Sequence, residues 1–201
     1  MAGDGARVPF VGLTGGIAAG KSEALKALER LGAATLSTDA VVHELLTTGD
    51  VRDQLVEKFG DEVAPNGEID RAKVAERVFG DDERRKWLEE LLWPRVGQRM
   101  WEWRTDVEQR ERPPRAAVVE VPLLFEAGME DGFDATIAVV AEQSVREERA
   151  GQRGHAGVAS RTARQLSQEE KSQRADYTVR NDGTLDELET KLSEVLGKIE
   201  G

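Results

Sequence analysis

The chain has no cysteine, which excludes disulfides and thiolate metal sites. It has no apolar run of bilayer-spanning length, so a helical membrane protein is excluded as well. The opening Met-Ala-Gly-Asp-Gly-Ala-Arg lacks the apolar core of a signal peptide, and a soluble cytoplasmic protein is expected. Positive charge is also short. Lys and Arg number 28 against 39 Asp and Glu, and the net charge of −11 argues against a general nucleic-acid or membrane-surface binder. The shortage is uneven, because between Ser144 and Arg180 eight basic residues outnumber five acidic ones. A basic island in an acidic protein suits a small anionic ligand, or else a solvated helical surface. At 201 residues one domain is expected, over 8–201, with a sizeable core and a small insertion.

What is present begins with Gly15-Gly16-Ile17-Ala18-Ala19-Gly20-Lys21-Ser22, which fits G-x-x-x-x-G-K-[ST] at every fixed position. An apolar run, Val8–Leu13, leads in, and a helical run, Lys21–Leu31, leads out. The strand, glycine-rich turn and helix of a phosphate-binding loop are therefore all in place. Glycines let backbone N–H groups wrap a polyphosphate, and the helix N-terminus favours an anion. In that setting Lys21 reaches the β/γ-phosphates and the Ser22 hydroxyl ligates Mg²⁺. The bland alternative is a glycine-rich turn before an ordinary helix, but chance rarely supplies both flanks.

Five segments read as strands: Val8–Leu13, Ala34–Thr38, Ala116–Leu124, Ala135–Ala141 and Tyr177–Arg180. Continuous apolar character, as in Ala116-Ala117-Val118-Val119, suits parallel strands covered on both faces. With helical stretches between them, the expected class is α/β, a mostly parallel five-stranded sheet flanked by helices. Ligands in such sheets sit beyond the carboxyl ends of the strands, where the phosphate loop falls. The interval Ala40–Arg112 offers no strand. Trp87, Leu88, Leu91, Leu92 and Val96 recur there at helical spacing, followed by Met100 and Trp101. All four tryptophans (87, 93, 101, 103) fall in this span, so a helical subdomain with its own small core is expected. Arg112-Pro113-Pro114-Arg115 should end its last helix. Thr184-Leu185-Asp186-Glu187 reads as a capping box opening a C-terminal helix.

Three features turn phosphate binding toward a reaction. Asp39, in Ser37-Thr38-Asp39-Ala40, closes the second predicted strand and puts a carboxylate at the sheet edge of the loop. There it could orient and deprotonate an attacking hydroxyl, cap the helix from Ala40, or do both. Glu120, late in an apolar strand, could help hold Mg²⁺ through water. Arg146, Arg149, Arg153, Arg161 and Arg164, hinged around Gly151 and Gly154-His155-Ala156-Gly157, have the makeup of a lid. Arginines that swing over a triphosphate neutralise transition-state charge and exclude water. A GTPase-type switch is disfavoured, since neither N-K-x-D nor a strand-flanked D-x-x-G is found.

With these features assembled, the chain resembles the dephospho-coenzyme A kinase family from about Phe10 to about Leu196. Gly12-Leu13-Thr14-Gly15-Gly16-Ile17-Ala18-Ala19-Gly20-Lys21-Ser22 is similar to the family's L-T-G-G-I-x-x-G-K-S, and Val121-Pro122-Leu123-Leu124-Phe125-Glu126 matches V-P-L-L-F-E. Ser37-Thr38-Asp39 stands at its D-A-D, and Leu91-Leu92-Trp93-Pro94 at its L-L-H-P. Arg164-Gln165-Leu166 resembles the lid exit, and Ala175-Asp176-Tyr177 through Asn181-Asp182-Gly183 the final strand and turn.

The resemblance implies a P-loop kinase fold with a nucleotide-binding core (8–43, 113–143, 176–201), a helical coenzyme A-binding insertion (44–112) and an Arg-rich lid (144–175). It implies transfer of the ATP γ-phosphoryl group to the ribose 3′-hydroxyl of dephospho-coenzyme A, with Mg²⁺. With the net charge already against a nucleic-acid or membrane partner, a monomer or weak homo-oligomer is expected. Catalysis would rest on Lys21 and Asp39. ATP would lie against Gly15, Gly16, Ile17, Ala18, Ala19, Gly20, Lys21, Ser22 and Glu23, with Asn181 and Gly183 near the adenine. Arg149, Arg153 and Arg161 would touch phosphate, and Thr14, Asp39, His43, Pro122 and Leu123 the acceptor.

Three departures stand out. Ser37 replaces the first Asp of D-A-D, which shifts any metal role there toward Glu120. Trp93 replaces a His, and its ring nitrogen cannot accept a hydrogen bond. Glu23 stands where Thr is common and tempers the helix dipole. Two rivals remain from the residues alone: a P-loop kinase for a nucleoside monophosphate or sugar acid, and a non-catalytic nucleotide binder.

Overall fold

Every strand of the central sheet but the two outermost is buried along its whole length, which is why the sequence shows unbroken apolar runs rather than alternation. The computed structural model describes residues 7–152 and 165–201. Among them are β1 (Phe10–Gly15), β2 (Ala34–Ser37), β3 (Ala117–Glu120), β4 (Ala135–Val140) and β5 (Tyr177–Arg180). All pairings are parallel, in the order β2-β3-β1-β4-β5, and Val11 of central β1 lies beside both Val118 and Ala135. The chain divides into two compact units, one running to Ser37 and resuming at Arg104, the other Thr38–Trp103.

The first unit holds the sheet. Helices α1 (Lys21–Arg30) and α8 (Leu185–Glu200) bring Ala24, Leu28, Leu188 and Leu192 into one buried cluster with Val11, Leu13, Ile137 and Val139. Each such leucine contributes about 1.5–3 kcal/mol on burial. Helix α8 opens at the expected capping box, where Thr184 accepts from the Glu187 amide and Glu187 accepts from that of Thr184. Helices α6 (Gln143–Gln152) and α7 (Gln168–Arg174) belong to the same unit, and Ser167 caps α7 with Glu170 in the same way.

The second unit is helical, as expected: α2 (Thr38–Leu45), α3 (Gly49–Phe59), a 3₁₀ turn at Asp61–Val63, α4 (Arg71–Val78) and most of α5 (Asp82–Glu108). Its buried residues include Val51, Leu55, Val63, Leu91, Leu92 and Met100. The tryptophans are not that core, which corrects the sequence reading. Trp93 is 51% exposed and Trp101 69%, while Trp87 packs edge-on against Phe59 at 5.4 Å. Aliphatic residues spaced by three and four fill the apolar stripe of α5 instead.

Other boundaries shift too. The third strand stops at Glu120, because Pro122 lacks a ladder N–H and the chain turns there. Helix α5 ends at Glu108, ahead of the Pro113-Pro114 pair. Gly151 lies inside α6 rather than at a hinge, and 154–157 fall outside the described residues. No described helix is long and apolar enough to cross a membrane.

Candidate active site

Strand β1 delivers the chain into a turn that needs glycine at two positions. A Cβ on Gly15 would collide with the Val139 carbonyl of β4, and one on Gly20 would overlap the side-chain amide of Asn181. Gly20 is left-handed, with φ of 96°, and Ala18 shares that region at φ 60°. The turn is closed by Ala19 N–H donating to the Gly16 carbonyl at 3.2 Å, and α1 starts as Ala24 N–H reaches Gly20. Lys21 arches back across the loop, its Nζ donating to the carbonyls of Gly15 (3.3 Å) and Gly16 (3.2 Å). Ser22 is exposed in the first turn of α1, and Glu23 there pairs with Lys26 at 3.0 Å.

Neighbouring strand ends brace this loop. Asn181, just past β5 and 4% exposed, donates its side-chain amide to the Ala19 carbonyl at 2.9 Å. Its own N–H extends the ladder to Val140, and its carbonyl accepts from Arg149 at 3.0 Å. Arg146, one turn earlier on α6, donates to the Ile17 carbonyl at 3.1 Å. Gln168 accepts from the Ala141 amide and lies against Gly16. A cleft of about 800 Å³ opens here, lined by Ile17, Ala18, Arg146, Gln168 and Arg180 among others.

Asp182, next after Asn181, bonds two of the residues that line this cleft, Glu142 and Arg180. Partial burial would raise its carboxyl, but the Glu142 amide at 2.6 Å and the Arg180 guanidinium outweigh that and hold it below the usual carboxylate range. On the other side of β1, the Thr14 hydroxyl donates to the Pro122 carbonyl at 3.3 Å, in the turn that also carries Leu123. Glu120, 7% exposed at the end of β3, stands in register with Leu13 of β1 and Ser37 of β2.

The structure sorts the expected site residues into two sets. Gly15 through Glu23, Asn181, Gly183, Arg149, Thr14, Pro122, Leu123 and Glu120 belong to the sheet unit. Asp39 and His43 belong to the helical unit, four residues apart and both exposed on one face of α2. Asp39 neither closes β2, which ends at Ser37, nor caps a helix from Ala40. It sits in the first turn of α2, where the dipole favours a carboxylate. The His43 Nδ1 meets Arg71 at 2.9 Å, and because a guanidinium can only donate, that nitrogen accepts. Arg153, Arg161 and Arg164 lie outside the described residues.

Sequence reasoning gave no role to Gln168 or Lys171. Both stand in the polar run Ser167-Gln168-Glu169-Glu170-Lys171, which reads as a solvated surface. Yet Lys171 is fully buried, with its Nζ 2.6 Å from the Pro122 carbonyl and 3.0 Å from Glu126. Burial pushes its ammonium below the ordinary lysine range, and Glu126 opposes that shift.

The family model CoaE, dephospho-CoA kinase, matches residues 9–187 of the chain. A dephospho-CoA kinase of Protochlamydia amoebophila is 37% identical over 190 residues, covering 92% of this chain and 93% of that one. The dephospho-CoA kinase of Deinococcus radiodurans is 38% identical over 193 residues, covering 94% and 92%. A crystal structure from Thermus thermophilus superposes with a TM-score of 0.79 at 32% identity, over 96% of this chain and 98% of that one.

Proposed function

The chain belongs to the dephospho-CoA kinase family, and from that premise we propose how its residues move the ATP γ-phosphoryl group to the ribose 3′-hydroxyl of dephospho-coenzyme A. The activity is an ATP-dependent phosphorylation that yields coenzyme A and ADP. The observation that carries the reading is the family match over residues 9–187, which encloses both the loop Gly15–Ser22 and Asp39.

Loop amides, backed by the N-terminus of α1, would take the β- and γ-phosphates. Lys21 would exchange the Gly15 and Gly16 carbonyls for phosphate oxygens, an interaction that strengthens as charge develops in the transition state. Asp39 would orient the 3′-hydroxyl and take its proton as the new oxygen–phosphorus bond forms. The bond from the γ-phosphorus to the bridging oxygen breaks, and ADP carries that charge away.

Arg149, with Arg153 and Arg161, would offset it. Ser22 and, through water, Glu120 are oxygen donors of the kind Mg²⁺ accepts, and when bound the ion neutralises β- and γ-oxygen charge. Glu120 is beside Ser37 in register, so it can carry the role of the carboxylate that Ser37 lacks. Asn181 and Gly183 would border the adenine. Thr14, His43, Pro122, Leu123 and the segment 44–112 would hold the acceptor. The enzyme would act in the cytoplasm as a monomer or weak homo-oligomer.

Coupled ADP release with ATP–Mg²⁺, with and without dephospho-coenzyme A, tests the reading. Release should depend on the acceptor, and Lys21→Ala should lose roughly 10²–10³-fold in kcat, the scale for one transition-state donor. Turnover on AMP or gluconate with dephospho-coenzyme A inert would overturn it, as would ATP binding with no acceptor-dependent release.

A further inference from the structure

The ammonium of Lys171 is a junction. Its Nζ donates to the Pro122 carbonyl at 2.6 Å, and the same oxygen accepts from the Thr14 hydroxyl one residue before the phosphate loop. Its ion-pair partner is the Glu126 Oε1, 3.0 Å away, which also accepts from the Leu166 amide at 2.9 Å. One buried cation therefore joins α7, the turn Pro122–Glu126, the end of β1 and the chain entering α7.

Burying such a pair is expensive, and apolar side chains of like volume often serve stability as well or better. Stability alone is thus a poor reason for a fully buried lysine here. Its partners lie in the turn that carries Pro122, Leu123 and Glu126, and Thr14 of β1 shares the Pro122 carbonyl with it. None of the atoms it bonds lines the nucleotide cleft.

We propose that Lys171 is a positioning residue for the phosphoryl acceptor: through Pro122 and Glu126 it sets the turn after β3 against the end of β1. This rests on the reading of Thr14, Pro122 and Leu123 as acceptor contacts. Lys171 touches no reacting group. It acts by fixing where the acceptor-binding turn stands relative to the phosphate loop.

The test uses Lys171→Met, which keeps the unbranched stem one atom short of the ammonium and removes the charge, and Glu126→Gln, which keeps the shape of the partner. Two readouts are taken. Hydrogen exchange of the ATP-bound protein should show lost protection at 123–127 and 165–167 and none at 15–22. Steady-state kinetics should show KM for dephospho-coenzyme A raised by roughly tenfold in Lys171→Met, the scale of one charge-assisted hydrogen bond, with KM for ATP within about twofold of wild type. Glu126→Gln should show the same split more weakly, and it carries the test if Lys171→Met does not fold.

Unchanged exchange at 123–127 would overturn the proposal, as would a lowered Tm with both KM values retained, the signature of a merely structural lysine. If the wild-type protein ignores dephospho-coenzyme A, the functional reading fails separately. The exchange pattern still decides whether Lys171 holds the turn.

Discussion

The two units of the chain use the same polar side chains to different ends. In the sheet unit, charges and amides converge on buried atoms. Asn181 bonds the Ala19 carbonyl, Lys171 the Pro122 carbonyl, and Asp176 accepts both the amide and the hydroxyl of buried Thr136 at 2.8 Å. In the helical unit, Arg95 pairs with Asp50, Arg77 with Glu62, Arg85 with Asp82 and Arg52 with Asp53, and the carboxylates of these four pairs are more than 60% exposed. A buried group that loses its partner keeps the whole desolvation penalty, whereas an exposed pair gives way to water and salt. These buried polar groups of the first unit fix geometry, whereas its surface pairs such as Arg30–Glu189 and Arg180–Glu142 are as exposed as many of the second. Polar residues of the second unit mostly solvate a helical surface.

The largest expected effect cuts across that contrast, because it falls on an exposed residue of the helical unit. Asp39→Asn should lower kcat by roughly 10²–10⁴-fold if the carboxylate is the general base. Steady-state turnover with saturating ATP and acceptor checks it. A near-normal kcat would reduce Asp39 to a charge in the first turn of α2 and leave the helical unit without a proton acceptor.

Asn181→Ala comes next and probes the buried side. Removing the amide strands the Ala19 carbonyl and frees the left-handed turn at Gly20. Loss of one buried hydrogen bond should lower stability by about 1–3 kcal/mol. Urea unfolding would measure this, and KM for ATP should rise in parallel because the loop is less fixed. An unchanged midpoint would show that the brace is no stronger than the surface pairs of the other unit.

How much of this was legible in the sequence follows the same division. The phosphate loop and the three inner strands were readable because local chemistry dictates them: glycines where backbones nearly touch, and aliphatic runs where both faces are covered. Strand order was not readable, since nothing in Ala34–Ser37 or Tyr177–Arg180 says that they lie at opposite edges of the sheet. Nor was burial within α5. Trp93 and Trp101 are apolar by composition but fall off the stripe that Leu91, Leu92, Val96 and Met100 define. Lys171 fails in the other direction. A lysine after two glutamates reads as surface, and only the tertiary packing of α7 reveals an acceptor carbonyl and a carboxylate waiting for it. Local pattern reports the element a residue joins, but the pairing of polar atoms across 40 or more residues is a property of the fold.

The smallest expected effect sharpens the contrast from the exposed side. The Asp50 carboxyl is held below its ordinary range, first by the Thr48 side chain and then by Arg95 at 3.2 Å. A carboxyl depressed in the folded state stabilises it fully above the unfolded value of about 3.9, and the contribution fades as pH falls through the lower folded value. Asp50→Asn should therefore lower Tm slightly near neutrality, by less than Asn181→Ala does, and the gap from wild type should close in strong acid. Raising the salt at neutral pH should shrink it too, since an exposed pair is screened. A gap that persisted in acid would mean that the Asp50 carboxyl acts through shape or hydrogen bonding alone. One as large as that of Asn181→Ala would mean that the helical unit fixes its geometry with charge after all.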